Sequence, residues 1–308
     1  MKIISTAPTR ISLFGGGTDI NPYSSLYGGV AFNMAINIRQ KVELDTKSTK
    51  HNWIKGDSLD FINSFLEPYK VGDCGLNHSF DGCMESGLGS SASLAVALIG
   101  AVNKSKGTKM SKDDVAEKAW DIEVNKLGLY GGKQDQYCAT YGGINLMEFN
   151  DSVKVTQLSP TFVDFLTPYL IMFYTGTNRK SGKIQEGFKR LTRKQKDTLD
   201  QVKDICITGV QAISNKDIQE VSAALNTAWE LKKESNIGVS NEKIDKLYNK
   251  AINGGAYAGK VMGAGGGGHM LFICEPDRQK KLITDMKMLG CRYVDFSLDF
   301  NGLETRIL

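Results

Sequence analysis

A glycine- and serine-rich segment in the first third of the chain has residue types and spacing that suit phosphate binding. Its residues are Gly87, Leu88, Gly89, Ser90, Ser91 and Ala92, followed directly by an apolar run over 93–99 that predicts a buried helix. Glycines let backbone N–H groups turn toward one point, and a helix N-terminus adds free donors and the positive end of the helix dipole. Taken alone, a phosphate cradle and an ordinary loop with a serine N-cap explain the segment about equally well.

Two carboxylates further along could serve phosphoryl transfer, which requires a group that positions or deprotonates the attacking hydroxyl and usually Mg²⁺. Glu123 lies near the end of a predicted helix, and Asp135 follows the break at Gly131-Gly132. Because Mg²⁺ needs few protein oxygens, Glu123 and the hydroxyl of Ser91 would be enough to hold it. On spacing alone, an exposed helical glutamate and a carboxylate at a helix N-terminus are the commoner explanations.

Arg10 and Asp19 flank the glycine triplet at 15–17. Arg10 lies in a predicted strand on the face opposite Ile11 and Leu13. It is either a solvent-exposed arginine or a guanidinium beside Asp135 that keeps this carboxylate ionised. Asp19 is either a helix N-cap or an acceptor for sugar hydroxyls. The spacing of the residues does not decide between the two alternatives for Arg10 or between those for Asp19.

Composition narrows the function classes. The net charge of +4 over 308 residues argues against a dedicated nucleic-acid binder. Six scattered cysteines without a CxxC pair and only three histidines argue against a zinc site or a histidine-based triad. The Walker pattern is absent, and no GxGxxG segment follows a predicted strand with an acidic residue about 20 positions further on. No signal-peptide or membrane-spanning run is apparent, so we expect a reduced, cytoplasmic protein without a membrane partner.

The elements that must position these residues fall into two halves, which we place at 1–160 and 161–308. Strands are predicted over 2–6, 9–14, 30–36, 41–45, 77–81, 144–149, 153–158, 169–174, 269–273, 292–300 and 304–308. Helices are predicted from 93, over 111–125, 133–141 and 277–289, and through 182–253 with breaks near 215 and 236–238.

Three ordered glycine-rich motifs give the chain a family resemblance. They are Ala7-Pro8-Thr9-Arg10-Ile11-Ser12-Leu13-Phe14-Gly15-Gly16-Gly17-Thr18-Asp19, Gly87-Leu88-Gly89-Ser90-Ser91-Ala92, and 259–268, with Gly131-Gly132-Lys133-Gln134-Asp135-Gln136-Tyr137 between the last two. The set resembles the GHMP kinases, the superfamily of galactokinase, homoserine kinase, mevalonate kinase and phosphomevalonate kinase. The resemblance implies a two-domain α+β fold with a left-handed βαβ unit in the first domain, against the usual handedness, and a ferredoxin-like second domain.

The resemblance also implies the roles of individual residues. The segment 87–92 would wrap the phosphates of ATP, Ser91 and Glu123 would hold Mg²⁺, and Asp135 would accept the proton of the attacking hydroxyl with support from Arg10. The forms of the first motif and of the segment 131–137 resemble the heptose branch, which implies phosphorylation of the anomeric hydroxyl of D-glycero-D-manno-heptose 7-phosphate. The implied substrate-binding residues are Gly17, Thr18, Asp19, Gly132, Lys133, Gly265 and Gly266. The segment 174–181, which contains Arg179, follows a predicted strand and opens a helix. It is either a site whose cations and helix N-terminus hold the phosphate already on the sugar or an ordinary solvent-exposed loop.

Alternatives to a heptose 7-phosphate kinase remain at this stage. One is a galactokinase- or fucokinase-like kinase of an unphosphorylated sugar, and another is a non-catalytic binding or regulatory relative. We expect a small-molecule partner and leave a homodimer open. One departure from the family pattern is Glu85, which stands just before the glycine motif where the family usually has prolines and a glycine. Its carboxylate would repel a triphosphate unless it pointed away or met a metal ion.

Overall fold

The structure is a computed structural model that describes residues 1–48, 50–52, 59–67, 74–83, 86–177, 190–235 and 238–308. Within these ranges two antiparallel-dominated sheets are covered by helices. The α+β architecture predicted from the sequence is therefore confirmed. No helix of the described residues combines the length and apolar character that a membrane crossing needs.

The first sheet is built around two long strands, β1 (Lys2–Phe14) and β2 (Gly29–Asp45), which pair antiparallel. β2 is long enough to pair along its other edge with two strands end to end, β4 (Gly75–Phe80) and β5 (Ile144–Phe149). The sheet is completed by β3 (His51–Asn52), β6 (Val153–Leu158) and β11 (Glu304–Ile307).

A helical layer covers this sheet, with α3 (Ser90–Lys106) at its centre. The small and aliphatic residues of α3 are buried on all sides, because the helix packs on β1 and β2 and is itself covered by its neighbours. These neighbours are α2 (Leu59–Leu66), α4 (Lys112–Asp121) and α5 (Gln134–Tyr141), while α1 (Tyr23–Tyr27) follows the first glycine triplet. Burial of α3 fixes its N-terminus, and with it the segment at 87–92.

The second sheet has the strand order of a ferredoxin-like unit. Its strands are β7 (Leu170–Tyr174), β8 (Ala256–Val261), β9 (His269–Cys274) and β10 (Arg292–Val294), and the order β10-β7-β9-β8 is antiparallel throughout. Its helices are α6 (Arg193–Ser214), α7 (Ile218–Ser235), α8 (Glu242–Asn253) and α9 (Pro276–Met288). Two short 3₁₀ turns, Pro160–Phe162 and Thr167–Tyr169, connect the halves.

The end of the chain returns from the second sheet to the first. After β10, Leu298 forms a bridge with Ile36, and β11 then pairs with β1. Arg39 of β2 ties this tail down through Asp299 and through the carbonyl of Gly302 at 2.6 Å. The division near residue 160 stays a prediction, and the tail belongs to the first sheet by its pairing.

Several predicted boundaries need correction. The strands predicted over 2–6 and 9–14 form the single strand β1, because the pairing register with β2 shifts between Pro8 and Thr9 and so accommodates the missing N–H of the proline. Likewise, 30–36 and 41–45 are parts of β2. The strand predicted over 292–300 ends at Val294. The predicted helix over 111–125 changes at Ile122 into a π-helical turn.

Candidate active site

A cleft lies where the two halves meet, and it collects residues from distant parts of the chain. Its walls come from β1 and the loop after it, the first turn of α3, the π-helical turn Ile122–Lys126, and the segment before α5. The second half contributes α7, β8 and the start of the third glycine loop. Of the predicted site residues, the cleft is lined by Arg10, Gly17, Asp19, Ser91, Ala92, Glu123, Gly132 and Asp135.

The predicted phosphate loop is held in shape by the third glycine loop. Gly87 and Gly89 have φ of 87° and 73°, a left-handed conformation that favours glycine. A Cβ on Gly263 would lie 2.6 Å from the Cα of Gly87, and one on Gly268 would lie 2.2 Å from the carbonyl oxygen of Ser86. His269 adds a backbone hydrogen bond to that same oxygen at 2.9 Å. The two loops therefore fit only because side chains are absent at these contacts.

Within the loop, the predicted ATP-binding residues do different things. Ser91 and Ala92 face the cleft at the first turn of α3. Leu88 is fully buried in the core, and its carbonyl accepts a hydrogen bond from the backbone N–H of Arg10 at 3.0 Å. Ser90 is buried, and its carbonyl accepts from Gln40 at 3.0 Å. Leu88 and Ser90 thus anchor the loop to the rest of the protein, while Ser91 and Ala92 form the part of the loop that faces the cleft.

Arg10 and Asp135 form a two-pronged ion pair in the cleft. Nε and Nη2 of Arg10 donate to the two carboxylate oxygens at 2.7 and 2.6 Å, and Nη1 donates to the carbonyl of Gly87 at 2.7 Å. Arg10 is buried rather than solvent-exposed, whereas the side chain of Asp135 keeps 25% of its exposure. The fork fixes the carboxylate against the phosphate loop, where a Cβ on Gly89 would lie 3.0 Å from its Oδ2.

Glu123 and Ser91 also meet, as the sequence predicted. Glu123 is buried in the π-helical turn, accepts hydrogen bonds from the Ser91 hydroxyl and, at 2.8 Å, from Nε2 of Gln136. Burial raises the pKa of Glu123 to about 7, the hydrogen bonds oppose this rise, and the charge of Asp135 adds to it. π-helical turns are frequent at functional sites, and here the turn directs the carboxylate inward.

This corner suits a Mg²⁺ ion by the chemistry of its donors. It offers a carboxylate and a hydroxyl, and Oε1 of Gln136 is buried without a hydrogen-bond partner. No group of three or more His, Cys, Asp or Glu side chains converges on a metal position within the described part of the chain. A cation here would complete its shell with phosphate oxygens and water, as Mg²⁺ prefers.

Asp19 shapes the opposite end of the cleft. Its carboxylate is buried and accepts from the backbone N–H of Gly17 at 3.1 Å and from the N–H and side-chain amide of Gln134 at 3.2 and 3.0 Å. Burial, and secondarily the charge of Asp135, raise its pKa. A Cβ on Gly132 would lie 1.9 Å from Oδ2 of Asp19, so this glycine permits the close approach. Asp19 is thus neither an N-cap nor a solvent-exposed carboxylate.

The remaining predicted substrate residues lie away from the cleft surface or outside the described residues. Thr18 is buried and hydrogen-bonds to the carbonyls of Gly15 and Val30. Lys133 pairs with Glu117 at 2.7 Å. Gly265 and Gly266 pack against Val239, to whose carbonyl the N–H of Gly266 donates at 2.7 Å. Arg179 and Glu85 lie outside the described residues.

Sequence reasoning assigned no role to several polar residues that line the cleft, among them Ser12, Gln134, Lys232 and Lys260. Ser12 donates to the side-chain carbonyl of Gln134 at 2.9 Å. Lys260 belongs to the third motif, and Gln134 directly precedes Asp135. Their positions in these segments could therefore have indicated a role in the site. Lys232 follows no glycine motif, and its position next to Lys233 on a helix is typical of a solvent-exposed residue.

A glycine-rich loop at a helix N-terminus, a buried carboxylate beside a serine hydroxyl and an aspartate held by an arginine are features typical of phosphotransferases that act on small molecules. Comparison with known proteins agrees. The model of the GHMP kinases N terminal domain matches residues 62–143, and that of the GHMP kinases C terminal domain matches residues 210–288. The chain belongs to the GHMP kinase family, as the resemblance of its motifs implied, and it is a kinase.

Individual relatives cover 89–99% of the chain. It is 29% identical to D-glycero-alpha-D-manno-heptose 7-phosphate kinase of Campylobacter jejuni, over 99% of both chains. It is 28% identical to a mevalonate kinase of Methanothermobacter thermautotrophicus, over 89% of this chain and 91% of the relative. The crystal structure of a D-glycero-D-manno-heptose 1-phosphate kinase from Bacteriodes thetaiotaomicron superposes with a TM-score of 0.79 at 25% identity, covering 99% of each chain. The two-domain fold of the family is thereby confirmed.

Proposed function

We propose that this kinase uses ATP and Mg²⁺ to phosphorylate the anomeric hydroxyl of a heptose 7-phosphate, D-glycero-D-manno-heptose 7-phosphate being the expected acceptor. The observation that carries the proposal is the position of Asp135. The fork of Arg10 holds this carboxylate at 2.6–2.7 Å, between the phosphate loop and the polar end of the cleft around Asp19. The relatives named for heptose phosphates support the choice of acceptor.

In the proposed reaction the acceptor hydroxyl lies against Asp135, which takes its proton. The sugar oxygen then forms a bond to the terminal phosphorus of ATP while the bond from that phosphorus to the bridging oxygen breaks, and ADP leaves. A bound Mg²⁺ would neutralise charge on the phosphates. Ser91 and Glu123 would hold this ion, and the N–H groups at the start of α3 would face the phosphates.

Asp19 and Gln134 would orient the sugar. The carboxylate of Asp19 already takes three hydrogen bonds from the protein, so its geometry is fixed before a substrate arrives. A preorganised acceptor of this kind binds hydroxyl groups without the entropic cost of ordering a mobile side chain. The cytoplasmic location expected from the sequence stays a prediction.

Turnover of a panel of sugars and sugar phosphates, followed by coupled ADP release with Mg²⁺, tests the proposal. We expect the highest kcat/KM for a heptose 7-phosphate and a product whose phosphate is attached at the anomeric carbon, as read by ³¹P NMR. A higher kcat/KM for an unphosphorylated sugar would instead assign a galactokinase- or fucokinase-like activity. Absence of turnover with every acceptor would favour a non-catalytic relative.

A further inference from the structure

Two lysines of the second half line the cleft and have no role in the chemistry described above. Lys260 on β8 is buried, and Lys232 on α7 is partly buried. Nζ of Lys260 donates to the carbonyl of Leu13 at 2.8 Å, and Nζ of Lys232 donates to the carbonyls of Val261, at 2.8 Å, and Gly263. An ammonium has three N–H donors, so two donors of Lys260 and one donor of Lys232 are left to hydrogen-bond a ligand.

Neither ammonium has a carboxylate partner among the described residues. Among the described residues, the hydrogen-bond partners of both ammonium groups are backbone carbonyls, and Arg10 beside them is engaged with Asp135. Burial lowers the pKa of Lys232 well below its ordinary value and that of Lys260 to about 8, and the charge of Arg10 lowers both further. Because burial disfavours the charged form of both lysines, a multiply charged anion bound beside them would favour the ammonium forms and complement their charge.

The location of the two lysines favours the acceptor side of the cleft. In the proposed function the nucleotide phosphates would already have partners of their own, namely N–H donors in the loop and at the start of α3 and a Mg²⁺ ion held by Ser91 and Glu123. Lys260 reaches across to the carbonyl of Leu13, beside Ser12 and the loop that carries Asp19. We propose that Lys232 and Lys260 bind the phosphate group that the acceptor sugar already carries. This inference rests on the proposed function.

A different phosphate group in the cleft could also bind these two lysines. Lys232 bonds to Gly263, which packs on Gly87 of the phosphate loop, so the phosphoryl group in transit is the competing ligand. The two sources differ in kinetics. Loss of a contact to the acceptor's own phosphate raises KM for that acceptor, whereas loss of a contact made only in the transition state lowers kcat.

Lys232→Met and Lys260→Met test the proposal, because methionine keeps most of the stem and removes the charge. Lys243→Met is the matched control: Nζ of Lys243 also donates to a backbone carbonyl, that of Thr175 at 2.8 Å, but this lysine does not line the cleft. We expect each cleft variant to raise KM for the heptose 7-phosphate at least about tenfold, while KM for ATP and kcat change by about twofold or less. The control should change none of them.

The proposal is overturned if kcat falls while KM for the phosphosugar is unchanged, if KM for ATP rises instead, or if the variants match the control. If Lys260→Met does not fold, Lys232→Met, with its partly exposed stem, carries the test. Inorganic phosphate separates this inference from the proposed function, since it should compete with the acceptor in the wild type and do so at least about tenfold more weakly in the variants. If the wild type uses only neutral sugars and inorganic phosphate does not compete, both the proposed function and this inference fail. If the wild type uses only neutral sugars but inorganic phosphate still competes, the proposed function fails and the anion site at the two lysines is retained.

Discussion

Replacement of Arg10 by methionine isolates what the arginine fork does in the site. The guanidinium joins three elements: it holds both oxygens of Asp135 and the carbonyl of Gly87 through three hydrogen bonds of 2.6–2.7 Å. Methionine fills much of the same buried space but has no donor. Arg10→Met therefore leaves Asp135 without its positioning partner and the Gly87 carbonyl without its side-chain donor.

The size of the effect follows from burial. A hydrogen bond to a charged group contributes about 1.5–3 kcal/mol, but the three bonds share one guanidinium and are not additive. The Asp135 side chain keeps 25% exposure and can regain water, which lowers the penalty of leaving it unpaired. We therefore expect Arg10→Met to reduce the free energy of unfolding by about 2–4 kcal/mol. Since a misplaced reacting group costs on the order of 100-fold in rate, kcat should fall by about that factor.

Urea unfolding and steady-state kinetics at a temperature where all variants are folded measure the two effects. Arg39→Met is a matched control, because Arg39 also forms a largely buried ion pair, with Asp299, and bonds to the carbonyl of Gly302, but it lies outside the cleft. It should lose stability while kcat stays within about threefold. Arg10→Lys, which keeps the charge without the fork, should also lose activity. The reasoning is refuted if Arg10→Met loses no more kcat than Arg39→Met.

Three further variants test other parts of the structure. Glu123→Gln should raise the Mg²⁺ concentration for half-maximal turnover at least about tenfold, read by metal titration, and an unchanged requirement would contradict the proposed ion site. Gly268→Ala should lose about 1–3 kcal/mol more in denaturant unfolding than Gly107→Ala, since both glycines have positive φ but only at Gly268 would a Cβ meet backbone, the Ser86 carbonyl. Burial lowers the pKa of His269 to about 4 in the folded protein. As the pH falls from about 6.5 to 4, the histidine therefore takes up a proton in the unfolded chain but not in the folded one. The free energy of unfolding should drop over this range by at most about 1.4 kcal/mol per pH unit. His269→Asn should flatten that pH slope in unfolding curves, and an unchanged slope would rule out this titration.

Local patterns in the sequence predicted much of the fold. The helix predicted to start near residue 111 is α4, and Ser111 forms a full capping box with Asp114 at its start. The hairpin of β5 and β6 has the predicted bounds. These features depend on neighbouring residues, which is why they can be inferred without the tertiary structure. Pro8 misled the prediction, because only the register with β2 shows that its missing N–H falls at an irregularity.

Residues of the candidate site could be predicted where they belong to sequence motifs. They could not be predicted where their position in the site depends on tertiary packing. Motif order indicated that Arg10 and Asp135, 125 residues apart in the chain, belong together, and the structure joins them. Spacing could not show that Glu123 is buried, since its inward direction depends on the π-helical turn. It likewise could not single out Lys232, whose ammonium reaches carbonyls at the end of β8 and in the loop beyond, contributed by another part of the chain.

Asp135→Asn, measured by single-turnover phosphoryl transfer at saturating ATP, Mg²⁺ and acceptor, tests the central claim most directly. Asparagine keeps the shape of the side chain but takes up a proton far less readily, so a residue that accepts the proton of the attacking hydroxyl is lost while the nucleotide site stays intact. We predict a fall in the transfer rate of about 10²–10⁴-fold, with ATP affinity by calorimetry within about threefold of the wild type. A transfer rate within about tenfold of the wild type would contradict the account.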